Sequence, residues 1–390
     1  MARILEHDAL RLISDKGVAV TQWRVAASAN EIAEAVASFG GRAVVKALIP
    51  SGGRGKAGLI RLVSNDAEIR AAADILGNRD LVFPVEQVLV SEALDIAQEL
   101  FVSFCFDSKS RGAVLLYSAA GGVEIESIPE DQICRHPIDL RQGLDPADAA
   151  EIAGDPAIAE ALVKLYELFA ELEAETVEVN PLAVTTDGRV VAPTGVILTD
   201  DQAAFRHPEL SEIADPLATN GYRPLTDIER AVAEINELPD HSEIRFNELD
   251  EGEIGFVFLG GGAGYYVFDR VLYFGGKPAN TMDGTSSPHD EESMYRATSA
   301  LLKKPGLKGL VAGSNYGNFR AIDARARGVV RALIDAKIDP ATFPVVIRFD
   351  GEKLAEAKQA AEALPGIDYF DGTKSLEDAA CRIVERVKAL

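Results

Sequence analysis

From residue 254 to the C-terminus, short apolar runs alternate with stretches of helical spacing, and this pattern constrains the fold more than any other feature of the chain. The runs 254–259, 309–314 and 345–349 are apolar at nearly every position, and weaker ones lie near 278–282 and 367–370. A strand buried on both faces reads this way, whereas a strand with one wet face alternates. Helical patterns fall between the runs, at about 263–274, 290–303, 320–336, 351–364 and 375–388. Strand–helix alternation of this kind predicts a doubly wound α/β domain over 253–390, built on a parallel five-stranded sheet. Ligands of such sheets bind beyond the carboxyl ends of the strands. Three loops fall at that edge, 260–262, 285–287 and 315–320.

The first half reads differently. Strand patterns at 43–48, 87–91, 99–106 and 113–118 accompany a helical stretch at 31–38, which predicts a domain of antiparallel character over 1–206. A long Ala-, Leu- and Glu-rich helical segment at 148–175 leads into the β-branched run 176–179. Residues 207–252 form a proline-containing connector, with a helix opening at Thr226, where Glu229 completes a capping box. With 390 residues there is room for two or three cores of this kind.

Charge and cysteine content exclude several classes of function. A net charge of −23 disfavours nucleic acid or an anionic membrane surface as partner, though not a small anion held by a local cluster. No apolar run approaches the length of a membrane span, and the N-terminus carries acids where a secretory signal is apolar. The three cysteines, Cys105, Cys134 and Cys381, are far apart, which argues against a disulfide framework or zinc site and fits a reducing cytoplasm.

The segment AVVKALIPSGGRGKAG sets Lys46 at the end of a strand and follows it with a glycine-rich basic loop carrying Arg54 and Lys56. Glycines let a backbone approach phosphates closely, and the cations add charge. This is not a Walker A loop, because Pro50 stands at its first glycine and Ala57 at its magnesium-binding hydroxyl. On pattern alone, a surface hairpin with basic residues fits equally. Glu92 follows an apolar strand, as a hinge carboxylate touching a base would, and Glu99 lies seven residues on. GGVEIESI (121–128) and VEVNPLAV (177–184) come next, and in the second Glu178 and Asn180 share one strand face. A carboxylate beside an amide suits a metal ion or a reacting phosphoryl group.

The strings VVK…GGRGKAG, DIAQEL, GGVEIE and VEVNPL, in this order, resemble the ATP-grasp half of succinyl-CoA synthetase beta subunits, and the resemblance extends over nearly the whole chain. It implies an N-terminal ATP-grasp domain followed by a flavodoxin-like ligase domain. It also implies that Lys46, Gly53, Arg54 and Gly55 contact the phosphates of ATP or GTP, with Glu92, Leu94 and Glu99 completing the nucleotide site. Asn180 matches a magnesium ligand, and Glu178 matches a glutamate that steadies a catalytic histidine. In that family the histidine and the coenzyme A-binding domain belong to an alpha partner. The nucleotide phosphorylates the histidine, the phosphate passes to a carboxylic acid, and coenzyme A attacks the acyl phosphate. None of this chain's five histidines has a glycine-rich phosphohistidine context, so a separate alpha subunit and a hetero-oligomer are implied.

Two departures stand out. Thr194 occupies the place of the family's second magnesium-binding aspartate, with Asp200 near enough in sequence to compensate. Ser91 falls at the usual hinge position and Glu92 one residue later, which reverses side-chain direction in a strand unless a bulge intervenes. Thr194 also prompts an alternative reading, a non-catalytic or regulatory nucleotide-binding homologue.

The C-terminal strings FLGGGAGYYVFD, MDGTSSPHDEESMYRATSALL and GSNYGNFRAIDARARGVVRAL are similar to ATP-citrate lyase and citryl-CoA synthetase. That likeness nominates Gly261, Gly262, Ser286, Ser287, Asn318, Phe319 and Arg320 around a substrate acid. A dinucleotide reading of the glycines fails, since Tyr265 takes the last glycine's place. Each loop precedes a helix, whose positive end and free amides favour an anion, and Arg320 at a helix start would be unfavourable without one. The citrate-type family has two successive arginines where this chain has Arg348-Phe349. The expected ligand is therefore another small acid: a di-acid, a hydroxy-acid or a sulfonated acid.

Overall fold

The computed structural model describes residues 2–78, 82–122, 129–210, 212–213, 223–260, 262–318 and 320–390. They form two compact units, the first ending at Pro224 and the second running from Leu225 to Leu390.

The first unit contains, in chain order, β1 (Ala2–Arg3), α1 (Glu6–Asp15), β2 (Trp23–Ala26), α2 (Ala29–Ser38), β3 (Ala43–Ala47), β4 (Ile60–Val63), α3 (Asp66–Ala73) and β5 (Val88–Glu92). It continues with β6 (Ile96–Asp107), β7 (Gly112–Ser118), β8 (Cys134–Ile138), α4 (Pro146–Ala153), α5 (Pro156–Glu171), β9 (Ala174–Thr185), β10 (Val190–Val191) and β11 (Val196–Thr199). A four-stranded antiparallel sheet runs β2-β5-β3-β4. A larger antiparallel sheet runs β1-β11-β9-β6-β7-β8, with β10 on β9. In the small sheet Val45 and Val90 pack under Ile32 and Val36 of α2. In the large one Val177 and Val179 point into a core with Phe104, Leu165 and Phe169. Period two then sends Glu178 and Asn180 to the opposite, half-buried face.

The helical stretch expected at 148–175 is two helices. Asp145 and Asp155 each accept first-turn amides at a helix start with proline at the first helical position. Gly154, at φ +66°, ends α4 in the left-handed conformation that a Cβ disfavours. An apolar period of 3.6 ran on through this break and hid it.

The second unit contains α6 (Asp227–Ala233), β12 (Ile244–Glu248), β13 (Ile254–Phe258), α7 (Ala263–Tyr273), β14 (Asn280–Gly284), α8 (Asp290–Leu301), β15 (Gly309–Gly317), α9 (Asp323–Asp335), β16 (Val345–Gly351), α10 (Leu354–Glu362), β17 (Asp368–Phe370) and α11 (Leu376–Lys388). Its parallel sheet runs β13-β15-β16-β17. Val257, Ala312 and Ile347 face a core closed by α8, α9 and α10, while Phe256, Val311 and Val346 face a second core closed by α7 and α11. Both faces are covered, which is why these strands read as continuous apolar runs.

Two expectations are corrected here. The run near 278–282 does not extend the parallel ladder. Pro278 makes one parallel bridge to Ile254, and β14 then turns away to pair antiparallel with β12. The side chain of Asn280 takes over the lost ladder bonds: its Oδ1 accepts from Phe256 N at 2.8 Å and its Nδ2 donates to Phe256 O at 2.9 Å. From α6 onward the expected connector at 207–252 belongs to the second unit, since Ile228 and Val232 of α6 and Ile244 of β12 lie in its core. The expected capping box is present: Thr226 accepts from Glu229 N, and the Glu229 side chain accepts from Thr226 N.

Asn280 is fully buried. Asn280→Leu would strand two backbone groups of Phe256, and we expect it to cost about 2–4 kcal/mol in urea denaturation. A loss within about 0.5 kcal/mol, the range of a neutral surface change, would show that the carboxamide does not carry the strand.

Candidate functional site

The first cluster of functional groups forms at the start of α1 and the end of β3. Lys46 is buried, and its Nζ donates to Glu6 Oε1 at 2.7 Å and to Pro193 O at 2.7 Å. Arg54, within the glycine loop, donates from Nη1 to Ala47 O at 2.9 Å and from Nη2 to Glu6 Oε2. One buried carboxylate therefore holds both cations, one on each oxygen. Burial pushes the Glu6 acid up, but Lys46 and Arg54 outweigh it and hold the group below the ordinary glutamate value.

The glycine loop is the turn of the β3–β4 hairpin. Its later amides are spent internally: Ala57 N donates to Gly53 O, Gly58 N to Gly55 O and Leu59 N to Arg54 O. Gly53 and Gly55 are exposed on it.

Nothing in the sequence reading marked Glu6. An acid in the first helical turn is usually a solvated dipole partner. The signal was its spacing: Glu6 lies on the same stripe as the buried Ala9, Leu10 and Ile13.

A second group gathers where β6 and β9 pair. Asn180 Oδ1 accepts from Gly122 N at 2.8 Å, and Gly121 N donates to Glu99 O at 2.8 Å. A Cβ on Gly122 would lie 1.8 Å from Glu99 Oε2, and Gly122 has φ +72°. Gly122→Ala is therefore expected to displace the Glu99 carboxylate and weaken nucleotide binding by about tenfold or more, read by titration calorimetry. Unchanged affinity would separate Glu99 from the nucleotide. Residues 123–128 of the same motif lie outside the described residues.

Antiparallel register places the remaining candidates. Val196 pairs with Glu178, so Thr194, two residues before it, lies across from Asn180. Asp200 follows Thr199, which pairs with Ala174. It sits six residues from Thr194, roughly 20 Å along the strand direction. It caps the next turn by accepting from Gln202 N at 2.9 Å. Asp200 is thus engaged in its own turn at the far end of β11 from Thr194. Among the described residues no group of three or more His, Cys, Asp or Glu could hold a metal ion. Asn180 Oδ1, an acceptor with two lone pairs, accepts the one amide of Gly122, while Thr194 offers a neutral hydroxyl, a weaker magnesium ligand than a carboxylate.

β5 pairs regularly with β2 and β3, without a bulge, so Ser91 and Glu92 point to opposite faces. Ser91 is buried, and Glu92 Oε1 accepts from Gln22 N at 3.1 Å. Leu94 is half-buried in the link between β5 and β6.

In the second unit Gly262 follows β13, Ser286 and Ser287 follow β14, Asn318 and Arg320 follow β15, and Arg348 lies within β16. Gly261 and Phe319 lie outside the described residues. Gly262, which caps α7, donates its N–H to Asp283 Oδ2 at 3.3 Å. Ser286 and Ser287 rest on a buried network. Arg325 donates to Ser286 Oγ and, from Nε at 2.8 Å, to Asp290 Oδ2. Asp290 Oδ1 accepts from Ser287 N at 2.6 Å and from Ser242 Oγ at 3.1 Å. Arg348 donates to Ser314 O at 3.3 Å and Lys374 O at 3.4 Å. Asn318 and Arg320 are exposed.

Arg320 is not at a helix start, because α9 begins at Asp323. Among the described residues no helix end therefore acts on an anion at Arg320. Asp290 and Arg325 were missed, although each lies on the buried stripe of its helix, a place that charged residues occupy only when paired.

Among the described residues no helix is long and apolar enough to cross a membrane. Residues 3–184 match the ATP-grasp domain family. The chain is 35% identical to the beta subunit of the GDP-forming succinate–CoA ligase of Thermus thermophilus, covering 93% of this chain and 94% of that one. It is 32% identical to the beta subunit of an ADP-forming succinate–CoA ligase of Halorubrum lacusprofundi, over 99% of each. In structure it resembles ATP citrate lyase of Methanothrix soehngenii, solved with citrate and coenzyme A, at a TM-score of 0.79, covering 100% of each chain at 20% identity. The chain belongs to the family of succinate–CoA ligase beta subunits, with an ATP-grasp domain in its first half.

Proposed function

We propose that this chain is the nucleotide-binding beta subunit of an acid–CoA ligase, working with an alpha subunit that carries the phosphohistidine and holds coenzyme A. The observation that carries the reading is the pair Lys46 and Arg54, fixed on the buried Glu6 in a chain of this family. Lys46 has three N–H donors and spends two within the chain. The third, with the remaining donors of Arg54, is suited to the phosphates of ATP or GTP. Phosphoryl transfer asks a protein mainly for positioning and charge neutralisation, which such a pair supplies. Magnesium enters as the nucleotide's own complex. Glu178, on the face shared with Asn180, would steady the partner's histidine. Glu99 and the segment from Glu92 to Leu94 would hold the nucleoside.

The acid would meet the loops around Gly262, Ser286, Ser287, Asn318, Arg320 and Arg348. A small di-acid, hydroxy-acid or sulfonated acid fits that mixture of amides, hydroxyls and guanidinium. A cytoplasmic hetero-oligomer follows from the same reading. A second reading, a regulatory subunit without turnover, is favoured by Thr194 alone. The test is thioester formation by the chain co-purified with its alpha partner, using ATP or GTP, magnesium and a panel of di-, hydroxy- and sulfo-acids. Nucleotide-dependent acyl-CoA formation with at least one acid is expected. No thioester with any acid would favour the regulatory reading.

A further inference from the structure

Arg3 has no role in anything set out above, yet it sits where a charged side chain is hard to explain. β1 pairs antiparallel with β11, with Arg3 opposite Leu198, and Leu198 in turn is opposite Thr176 of β9. Arg3 is therefore on the sheet face that carries Glu178, one step further along β9. Its Nη1 reaches the phosphate loop and lies 3.9 Å from where a Cβ on Gly52 would be. The charges of Arg54, Glu178 and Glu6 act on it.

The charge count around it is unbalanced. Lys46 and Arg54 already share the Glu6 carboxylate. Among the described residues in these contacts, adding Arg3 makes three cations against two carboxylates, Glu6 and Glu178. Burial, followed by repulsion from Arg54, lowers the Arg3 guanidinium's affinity for its proton despite the two acids. In a chain of net charge −23, a local surplus of positive charge beside a glycine loop is a place prepared for an anion.

We propose that Arg3 is a further phosphoryl-contacting residue of the nucleotide site, reaching between the glycine loop and Glu178 to the terminal phosphate. The proposal rests on the nucleotide reading given above and deepens it. A guanidinium placed between the loop and Glu178 spans the path from the nucleotide to a histidine presented at Glu178. Its planar fork can hold two oxygens of a phosphoryl group at once.

The experiment uses the full chain with Arg3→Met, which keeps the side chain's length, and Arg3→Lys, which keeps the charge. AMP-PNP and GMP-PNP with magnesium, and AMP and GMP as matched probes without the terminal phosphates, are titrated by calorimetry. The Met variant is expected to weaken binding of the preferred triphosphate analogue by about tenfold or more, with the monophosphate changed by less than about twofold. The Lys variant should fall between, since it returns the charge without the fork. Unchanged triphosphate affinity in the Met variant would overturn the proposal. So would an equal loss for triphosphate and monophosphate, which marks a structural role. If the unaltered chain binds neither analogue, the nucleotide reading itself fails and the Arg3 proposal with it.

Discussion

Glu6→Ala is expected to lower the unfolding free energy of the chain by about 3–5 kcal/mol, because it leaves two buried cations without their shared anion. Lys46 would keep only Pro193 O, and Arg54 only Ala47 O, of the partners described here. Neither carbonyl carries a full charge. The same change should also abolish tight nucleotide binding, since nothing then holds the two cations at one spacing. Glu6→Gln separates charge from shape and shows the sign of the pH effect. The Glu6 acid is held below its ordinary value of 4.5 in the folded chain. Its contribution is thus fully present above the unfolded value and is lost as pH falls through the folded one. The stability difference between the parent chain and the Gln variant should be flat at neutral pH and shrink below about pH 4.5. A difference that stays constant through the acid range would mean that Glu6 is not the anion of the cluster.

The second large effect concerns Arg325. Arg325→Ala strands the Asp290 carboxylate, which is only 2% exposed, and removes the donor to Ser286 Oγ. A loss of about 3–5 kcal/mol is expected in urea denaturation. Replacing both partners, Asp290→Leu with Arg325→Met, should recover most of that loss, because a buried ion pair is often no more stable than apolar groups of similar volume. The double variant should not recover acid binding. Ser286 and Ser287 would be left on a turn without its supports, and the KM for the acid should rise by about tenfold or more while the KM for nucleotide holds. If the double variant binds acid normally, the network is scaffolding alone. If it is as unstable as the single one, the pair itself carries the stability.

The second unit was largely legible because its central parallel strands, β13, β15 and β16, are largely buried on both faces. What periodicity could not show was the direction of β14. Its apolar run looks like the others, and the departure is made by the carboxamide of Asn280 standing in for a backbone ladder. The extent of the second unit was obscured for a similar reason. Prolines at 208, 216 and 224 suggested a linker, while the residues that bind α6 and β12 to the second core are scattered single apolar positions.

The candidate sites divide in the same way. Lys46 and Arg54 were found because a glycine-rich loop follows the one and encloses the other. Glu6 and Arg3 lie some 40 or more residues away in sequence, at an N-terminus that reads as an ordinary helix start. Charged residues on a buried helical stripe were the signal, and Glu6, Asp290 and Arg325 all carried it. The distance between Thr194 and Asp200 was a matter of register, which a single sequence does not contain until its strands are paired.

The most direct test of the account is phosphoryl transfer to the partner. The chain, purified as its native complex, is incubated with γ-labelled ATP or GTP and magnesium, and the alpha subunit is examined for acid-labile, base-stable label. Label is expected on a histidine of the alpha subunit, discharged when acid and coenzyme A are added together, and lost in the Lys46→Ala complex. An intact complex that binds nucleotide but places no label on the alpha subunit would contradict it.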